Sequence, residues 1–308
     1  MSTLTENAAE YLALRRSLGF KLGRPGQLVT QFASYCSATG SDLVTTELAL
    51  GWARLPATRR QLWWAYRLNA VRGFARYLHA LDPRHEVPPT DLLPAGPRRA
   101  EPFIYSATEI ADLMSAAREM PHALMAATYQ TYIGLLAATG MRAGEAIALD
   151  HDDLNWSAGL LVVREAKFGK SREIVLHPTT SQALRKYDNH RRRHIPRPRT
   201  PAFFVSTVGT RLIYTNVAFV FHELTKRIGL KPRSTRCRPR LHDLRHTFAV
   251  NTLLDWYRAG VDVAERMHLL TTYLGHTHPV YTYWYLSMTP ELLALVGNRL
   301  ELQLGDLA

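Results

Sequence analysis

The stretch Leu241-His242-Asp243-Leu244-Arg245-His246-Thr247-Phe248 decides how the rest of this 308-residue chain is read. On a helix, His242 and Arg245 at i and i+3 share one face, while Leu244 and Phe248 at i and i+4 share another that turns to a core. An imidazole beside a guanidinium sets a proton carrier next to an anion clamp. The same residues offer His242 and His246 at HxxxH spacing, a metal-binding pattern with His276 or His278 as further ligands. A metalloprotease of that pattern needs Glu after the first His; here Asp243 stands there, and Arg245 on the same turn repels a cation. The third reading is that the histidines are structural.

Working outward, Ala138-Thr-Gly-Met-Arg142-Ala-Gly-Glu145 places an arginine after a glycine break and at the start of a new helix. There, helix-end amides and a guanidinium converge on a phosphate. Taken alone, the better reading is a surface arginine paired with Glu145 at i+3. Downstream, Leu274-Gly-His276 is followed nine residues later by Tyr285, with Tyr281, Tyr283 and Trp284 between them reading as a buried aromatic cluster. Upstream, Gly159-Leu-Leu-Val-Val and Glu173-Ile-Val-Leu read as short strands joined by Lys167-Phe-Gly-Lys170-Ser, a hairpin with a basic tip.

Charge supports an anionic partner. The formal net charge is +12 and the pI about 9.9; between residues 160 and 245 stand 20 of the 38 Lys and Arg against 5 of the 26 Asp and Glu. Clusters at Arg185-Lys186, Arg191-Arg192-Arg193 and Lys226 to Arg240 are too one-sided to be paired internally, which favours phosphate contacts over a merely solvated face. No basic amphipathic helix with an aromatic face supports a membrane surface. No run of about 18 apolar residues and no signal-peptide layout is present, so a cytoplasmic protein is expected. Cys36 and Cys237 read as free thiols.

The first 80 residues read as helices: Ala8 to Leu18, Gln27 to Ser37, Thr46 to Ala53, and a long one from Thr58 to Leu81 with Arg59, Arg60, Arg67, Arg72 and Arg76 off its apolar face. Five prolines between Asp82 and Arg99 block regular structure and mark a linker. Ser106-Ala-Thr-Glu109 is a capping box that starts a second domain. Helices follow at Ala123 to Thr139, Thr180 to Arg191, Thr215 to Ile228, Asp243 to Tyr257, Val263 to Tyr273 and Pro290 to Leu302, with a strand at Ala202 to Val205. The expected class is mainly α with a small β-hairpin or sheet: a helical domain over residues 1–85, a linker over 86–104 and a mixed, mostly helical domain over 105–308.

Read in order, ATGMRAGE, the basic hairpin tip, HDLRHT and LGH with Tyr285 nine residues on resemble the motifs of tyrosine recombinases of the phage-integrase and Xer kind, over residues 106 to 290. The ending Tyr-Trp-Tyr-Leu-Ser-Met-Thr-Pro-Glu-Leu is similar to integrases carried by transposons. The resemblance implies a site-specific recombinase that cuts and rejoins duplex DNA through a 3′-phosphotyrosine on Tyr285. Arg142 and Arg245 then hold the scissile phosphate, Lys167 protonates the leaving 5′ oxygen with Lys170 as its rival, His242 assists proton transfer at the tyrosine, His276 hydrogen-bonds the phosphate and Glu145 supports them. No ATP, metal or other cofactor is then needed. It also implies that the N-terminal helices are a core-binding domain and that the chain works as a homotetramer in synapsis. Arg59, Arg67, Arg72, Arg191, Arg192, Arg193, Lys231 and Arg233 are the expected DNA contacts. The alternatives are a type IB topoisomerase, which uses similar chemistry to relax supercoils, and a non-catalytic DNA-binding accessory protein that keeps the fold.

Overall fold

The computed structural model describes residues 3–55, 61–93, 100–164, 171–287 and 291–297. The chain divides into two compact units, Met1–Arg99 and Ala100–Ala308.

In the first unit, helices α1 (Leu4–Ser17), α2 (Gly23–Ala38), α3 (Thr46–Arg54) and α4 (Gln61–Leu81) enclose a core of Leu28, Phe32, Trp52, Leu68, Val71, Phe74 and Leu78. Helix α1 begins before the expected Ala8 because Thr3 and Glu6 cap it reciprocally, satisfying two end amides. Two arginines expected to meet DNA are instead internal. Arg67 lies over Trp52, 3.6 Å from the ring centroid, and donates to the Trp52 carbonyl at 2.8 Å. Arg72 donates to the Pro88 and Pro89 carbonyls, 2.7 Å each. A proline-rich segment cannot join a hydrogen-bonded ladder, so its carbonyls need donors from elsewhere, and Arg72 supplies them. Both residues are buried and are corrected from phosphate contacts to structural ties. Arg59 lies outside the described residues.

The second unit is mainly helical around a small antiparallel sheet, the expected class. Its elements are α5 (Ala107–Arg118), α6 (Ala123–Thr139), α7 (Ala143–Ala148), β1 (Leu154–Asn155), β2 (Leu160–Val163), β3 (Arg172–Val175), α8 (Pro178–His194), α9 (Tyr214–Arg227), α10 (Asp243–Arg258), α11 (Val263–Leu274) and α12 (Val280–Tyr283). A 3-10 turn, Trp284–Ser287, follows α12, and residues 291–297 are helical. The Ser106–Glu109 capping box forms with both hydrogen bonds. In the sheet, ordered β1-β2-β3, Leu161 pairs with Ile174 and both are buried. Strand β1 escaped the sequence reading because two residues are too few to alternate.

The run Ala202 to Val205 makes only isolated bridges, Asp150 with Ala202 and Val205 with Arg211. Its hydrophobicity serves burial: Phe203 and Phe204 pack on Tyr187 of α8, with ring centroids 5.4 and 5.1 Å away. The carbonyls that no strand pairs are taken by Arg191, which donates to Ala202 at 2.7 Å and Phe203 at 3.0 Å. Arg191 is therefore also corrected from a DNA contact to a core tie. Arg192 is bound to Asp188 at 3.0 Å. Arg233 lies over Phe103, 4.2 Å from its centroid, and donates to the Ile104 carbonyl, and Arg193, Lys231 and Arg233 are all exposed. A second cluster of this unit joins Val250, Leu253 and Leu254 of α10 with Met267 and Leu270 of α11, Tyr285 and Leu292.

Candidate active site

Three arginines from three parts of the second unit meet at one helix end. Helix α11 stops at Gly275, whose left-handed φ of +66° suits glycine; a Cβ there would come within 2.9 Å of the Arg172 guanidinium. The last carbonyls of a helix lack intrahelical partners and carry partial negative charge. Here Arg172 donates to Tyr273 at 2.8 Å, Arg245 to Leu274 at 2.6 Å and Arg142 to Gly275 at 3.0 Å. Arg245 also donates to the carbonyl of Gly140 at 3.0 Å. Gly140 ends α6 at φ +60°, and a Cβ there would collide with the Phe248 ring at 2.4 Å.

Glu145 binds two of these cations. Its carboxylate accepts from Arg142 at 2.7 Å and from both terminal nitrogens of Arg172, at 3.1 and 2.7 Å, and from the Arg142 amide at 2.9 Å. Burial alone would raise this carboxyl, but the hydrogen bonds and charge of Arg172, then Arg142, outweigh it and hold it down at about 2. It is an anion at any physiological pH. Arg245 is 2% exposed; burial first, then the charge of Arg142, pulls its guanidinium down to about 10, against the opposing effects of Tyr285 and Glu145. It remains a cation at neutral pH.

Tyr285 is 2% exposed, while Val280, Tyr281 and Tyr283 are 64%, 46% and 47% exposed. This reverses the expectation that Tyr281 and Tyr283 form the buried cluster. Thr282 of α12 and Tyr285 of the 3-10 turn that follows stand three residues apart and are both buried, while Tyr283 between them is exposed and Trp284 is half-buried against the same cluster. The Tyr285 hydroxyl lies 3.1 Å from His246 Nδ1. Its ring stacks near His276, with centroids 6.1 Å apart and planes inclined by 19°. His276 Nδ1 is fixed by the Thr282 hydroxyl at 2.8 Å, itself tied to Thr271 at 3.0 Å. The exposed His242 sits edge-on to the buried His246, centroids 4.8 Å apart.

The structure thus brings together Arg142, Glu145, Arg245, His276 and Tyr285, with His242 at the rim; Lys167 and Lys170 lie outside the described residues. Two neighbours were missed. Arg172, one residue before the expected Glu173 strand, was given no role, although an arginine opening a strand whose partner is apolar was a usable signal. His246 was weighed as a metal ligand or a structural histidine and dropped, because helical spacing does not reveal which side chain a distant tyrosine will meet.

The phage integrase family model matches residues 105–291. The y4rB protein of Sinorhizobium fredii, named as an integrase/recombinase, is 42% identical over 99% of this chain and 99% of its own. The tyrosine recombinase XerC of Azotobacter vinelandii is 28% identical over 75% of this chain and 71% of its own. Among solved structures, the Tn1549 transposon integrase in complex with a circular intermediate DNA superposes with a TM-score of 0.66 at 16% identity, covering 97% of this chain and all of that one (100%). XerA recombinase superposes at 0.53 with 22% identity, over 96% and 97%. This chain belongs to the phage integrase family, the tyrosine recombinases. Among the described residues no helix is long and apolar enough to cross a membrane.

Proposed function

We propose that this chain is a site-specific recombinase of a mobile element that cleaves and rejoins duplex DNA through a covalent link between Tyr285 and a 3′ phosphate. The observation that carries the reading is the convergence of Arg142 and Arg245 on adjacent carbonyls at the end of α11, in the same cluster as Tyr285. Two cations fixed in a partly desolvated site stabilise the added negative charge of a five-coordinate phosphorus. Their carbonyl contacts fix their direction before DNA arrives, so little reorganisation is needed.

The Tyr285 oxygen attacks phosphorus and loses its proton, the 5′ oxygen leaves with a proton from Lys167, and His276 donates to a phosphate oxygen. Because the phosphotyrosine keeps the phosphoester, a new 5′ hydroxyl reverses the step without nucleotide. The helices of the first unit are assigned to grip the duplex as a core-binding domain, and strand exchange to a homotetramer, acting on cytoplasmic DNA. The N-terminal grip is assigned to residues other than Arg67 and Arg72, which are buried. The boundaries proposed for these roles are residues 1–85 and 105–308.

The test is covalent capture. Expressing the chain, denaturing the cells and sequencing the DNA that stays on the protein supplies the target site; peptide mapping of the adduct identifies the nucleophile. Adducts on Tyr285 that form in excess chelator support the reading. A chain that never carries DNA refutes it, and plasmid relaxation at sites of no shared sequence would move it to a type IB topoisomerase.

A further inference from the structure

We propose that His246 takes the proton from Tyr285 as the tyrosine attacks and returns it when the strands rejoin, an inference that rests on the reading above. The geometry is direct: Nδ1 lies 3.1 Å from the phenol oxygen, and that oxygen is the reacting atom. The role read for His242 in the sequence passes one helical turn along α10 to His246. A general base has to reach the proton it removes within hydrogen-bond distance, and His246 does so.

The surroundings fit a base. His246 is 5% exposed and Tyr285 2%, so water competes poorly for the phenol proton. Arg245 of the same helix, Arg142 at the start of α7 and Arg172 of β3 are the cations gathered at the end of α11. His242 on α10 and His276 beyond α11 are the other titratable groups that face the pair, and Trp284 closes one side, 5.5 Å from the His246 ring centroid. As the proton crosses, a neutral imidazole and phenol become an imidazolium and phenolate, a pair stabilised by proximity. The Tyr285 O–H bond breaks to give N–H on Nδ1, the phenolate oxygen bonds phosphorus, and the P–O bond to the 5′ oxygen breaks with that oxygen taking the proton assigned above to Lys167. Rejoining runs the same transfers backward, with imidazolium returning the proton to the departing phenolate.

The informative variant is His246→Asn, whose side-chain oxygen can accept a hydrogen bond near the Nδ1 position but cannot carry the proton away. On a duplex bearing the captured site, nicked so that the freed 5′ fragment diffuses off, its single-turnover cleavage should be about 100-fold slower or more. DNA binding should stay within about twofold, and the adduct that forms should still be on Tyr285. In His246→Ala, added imidazole should restore part of the rate. The wild type supplies a measurement free of folding effects: its rate should fall as pH is lowered through roughly 8 to 5, the range of imidazole titration, and the variants should lose that acid limb. Cleavage by His246→Asn within a few-fold of wild type, a slow His246→Ala that imidazole leaves unchanged, or a flat wild-type profile would each overturn the proposal while Tyr285 adducts keep the recombinase reading. A wild type that forms no adduct removes both.

Discussion

Arg142 and Arg245 donate to the carbonyls of consecutive residues, Gly275 at 3.0 Å and Leu274 at 2.6 Å, at the end of one helix. Two guanidiniums repel each other; what holds this pair is the partial negative charge of the α11 terminus and the Glu145 carboxylate. The tie also connects the residues of the proposed site. Helix α11 leads through Gly275 into His276 and on to Tyr285, so Arg142, Arg245 and Tyr285 share one anchor.

Arg172 should be a positioning residue for this anchor. It joins Glu145 to the Tyr273 carbonyl, and its removal strands a buried carboxylate against a single remaining arginine. Arg172→Ala should cost about 3–5 kcal/mol in the second unit, the usual result of breaking a buried pair. Arg172→Lys should rescue little, since one ammonium cannot reproduce a fork plus a third donor. Urea unfolding gives the stability; a lysine variant as stable as wild type contradicts the assignment.

Glu145 predicts a pH signature. Its folded carboxyl titrates at about 2, below an unfolded value near ~4.3. It therefore adds stability that is complete above the unfolded value and disappears as pH falls toward 2. The size is roughly 3 kcal/mol. Glu145→Gln should be less stable at pH 7, and the gap to wild type should close between about pH 4 and 2 in urea melts. A gap that does not change with pH would place the loss in packing instead.

The helices and their caps were legible from sequence because periodicity and capping chemistry are local: Ser106 with Glu109, and Gly140 after Thr139, act within one turn. The ordered motifs also led to Arg142, Arg245, His276 and Tyr285. What sequence could not supply was how side chains meet across distance. Arg67, Arg72 and Arg191 looked like surface cations because charge predicts solvent, yet they turn inward to backbone carbonyls at Trp52, Pro88, Pro89, Ala202 and Phe203. Nor could spacing show that α12 and the 3-10 turn after it bury Tyr285 and expose Tyr283, since three tyrosines at alternate positions fit several rotations of so short a segment.

Those arginines separate structure from DNA contact. Arg191→Ala leaves two buried carbonyls without their donor and should cost about 1–3 kcal/mol for each unsatisfied group. Arg193→Ala should leave the melting temperature unchanged and lower the salt dependence of DNA binding by about one unit of slope, as expected for one lost phosphate contact. Binding isotherms across salt concentrations, paired with thermal melts, decide it. Equal slopes in wild type and Arg193→Ala would remove that residue from the DNA interface.

Tyr285→Phe should abolish covalent adducts and keep DNA affinity, because the clamp is made by other side chains. Its stability loss should be small, about 1 kcal/mol for the hydrogen bond to His246. Tyr283→Phe and Tyr281→Phe, at exposed positions, should cleave like wild type. Adducts surviving in Tyr285→Phe, detected after denaturing electrophoresis, would assign the nucleophile to a neighbour.

Lys167 is tested through its leaving group. The 5′ alkoxide is a poor leaving group, and donating a proton to it is worth roughly 10² to 10⁴ in rate; Lys167→Ala should lose that much cleavage while binding DNA almost normally. Replacing the bridging 5′ oxygen with sulfur removes the need for the proton, because a thiolate departs unaided. The sulfur substrate should therefore restore Lys167→Ala to near the wild-type rate and should do little for Arg245→Ala, whose defect lies in charge stabilisation at the non-bridging oxygens. Lys170 occupies the same basic segment and competes for the role. If sulfur rescues Lys170→Ala and leaves Lys167→Ala slow, the proton donor is Lys170.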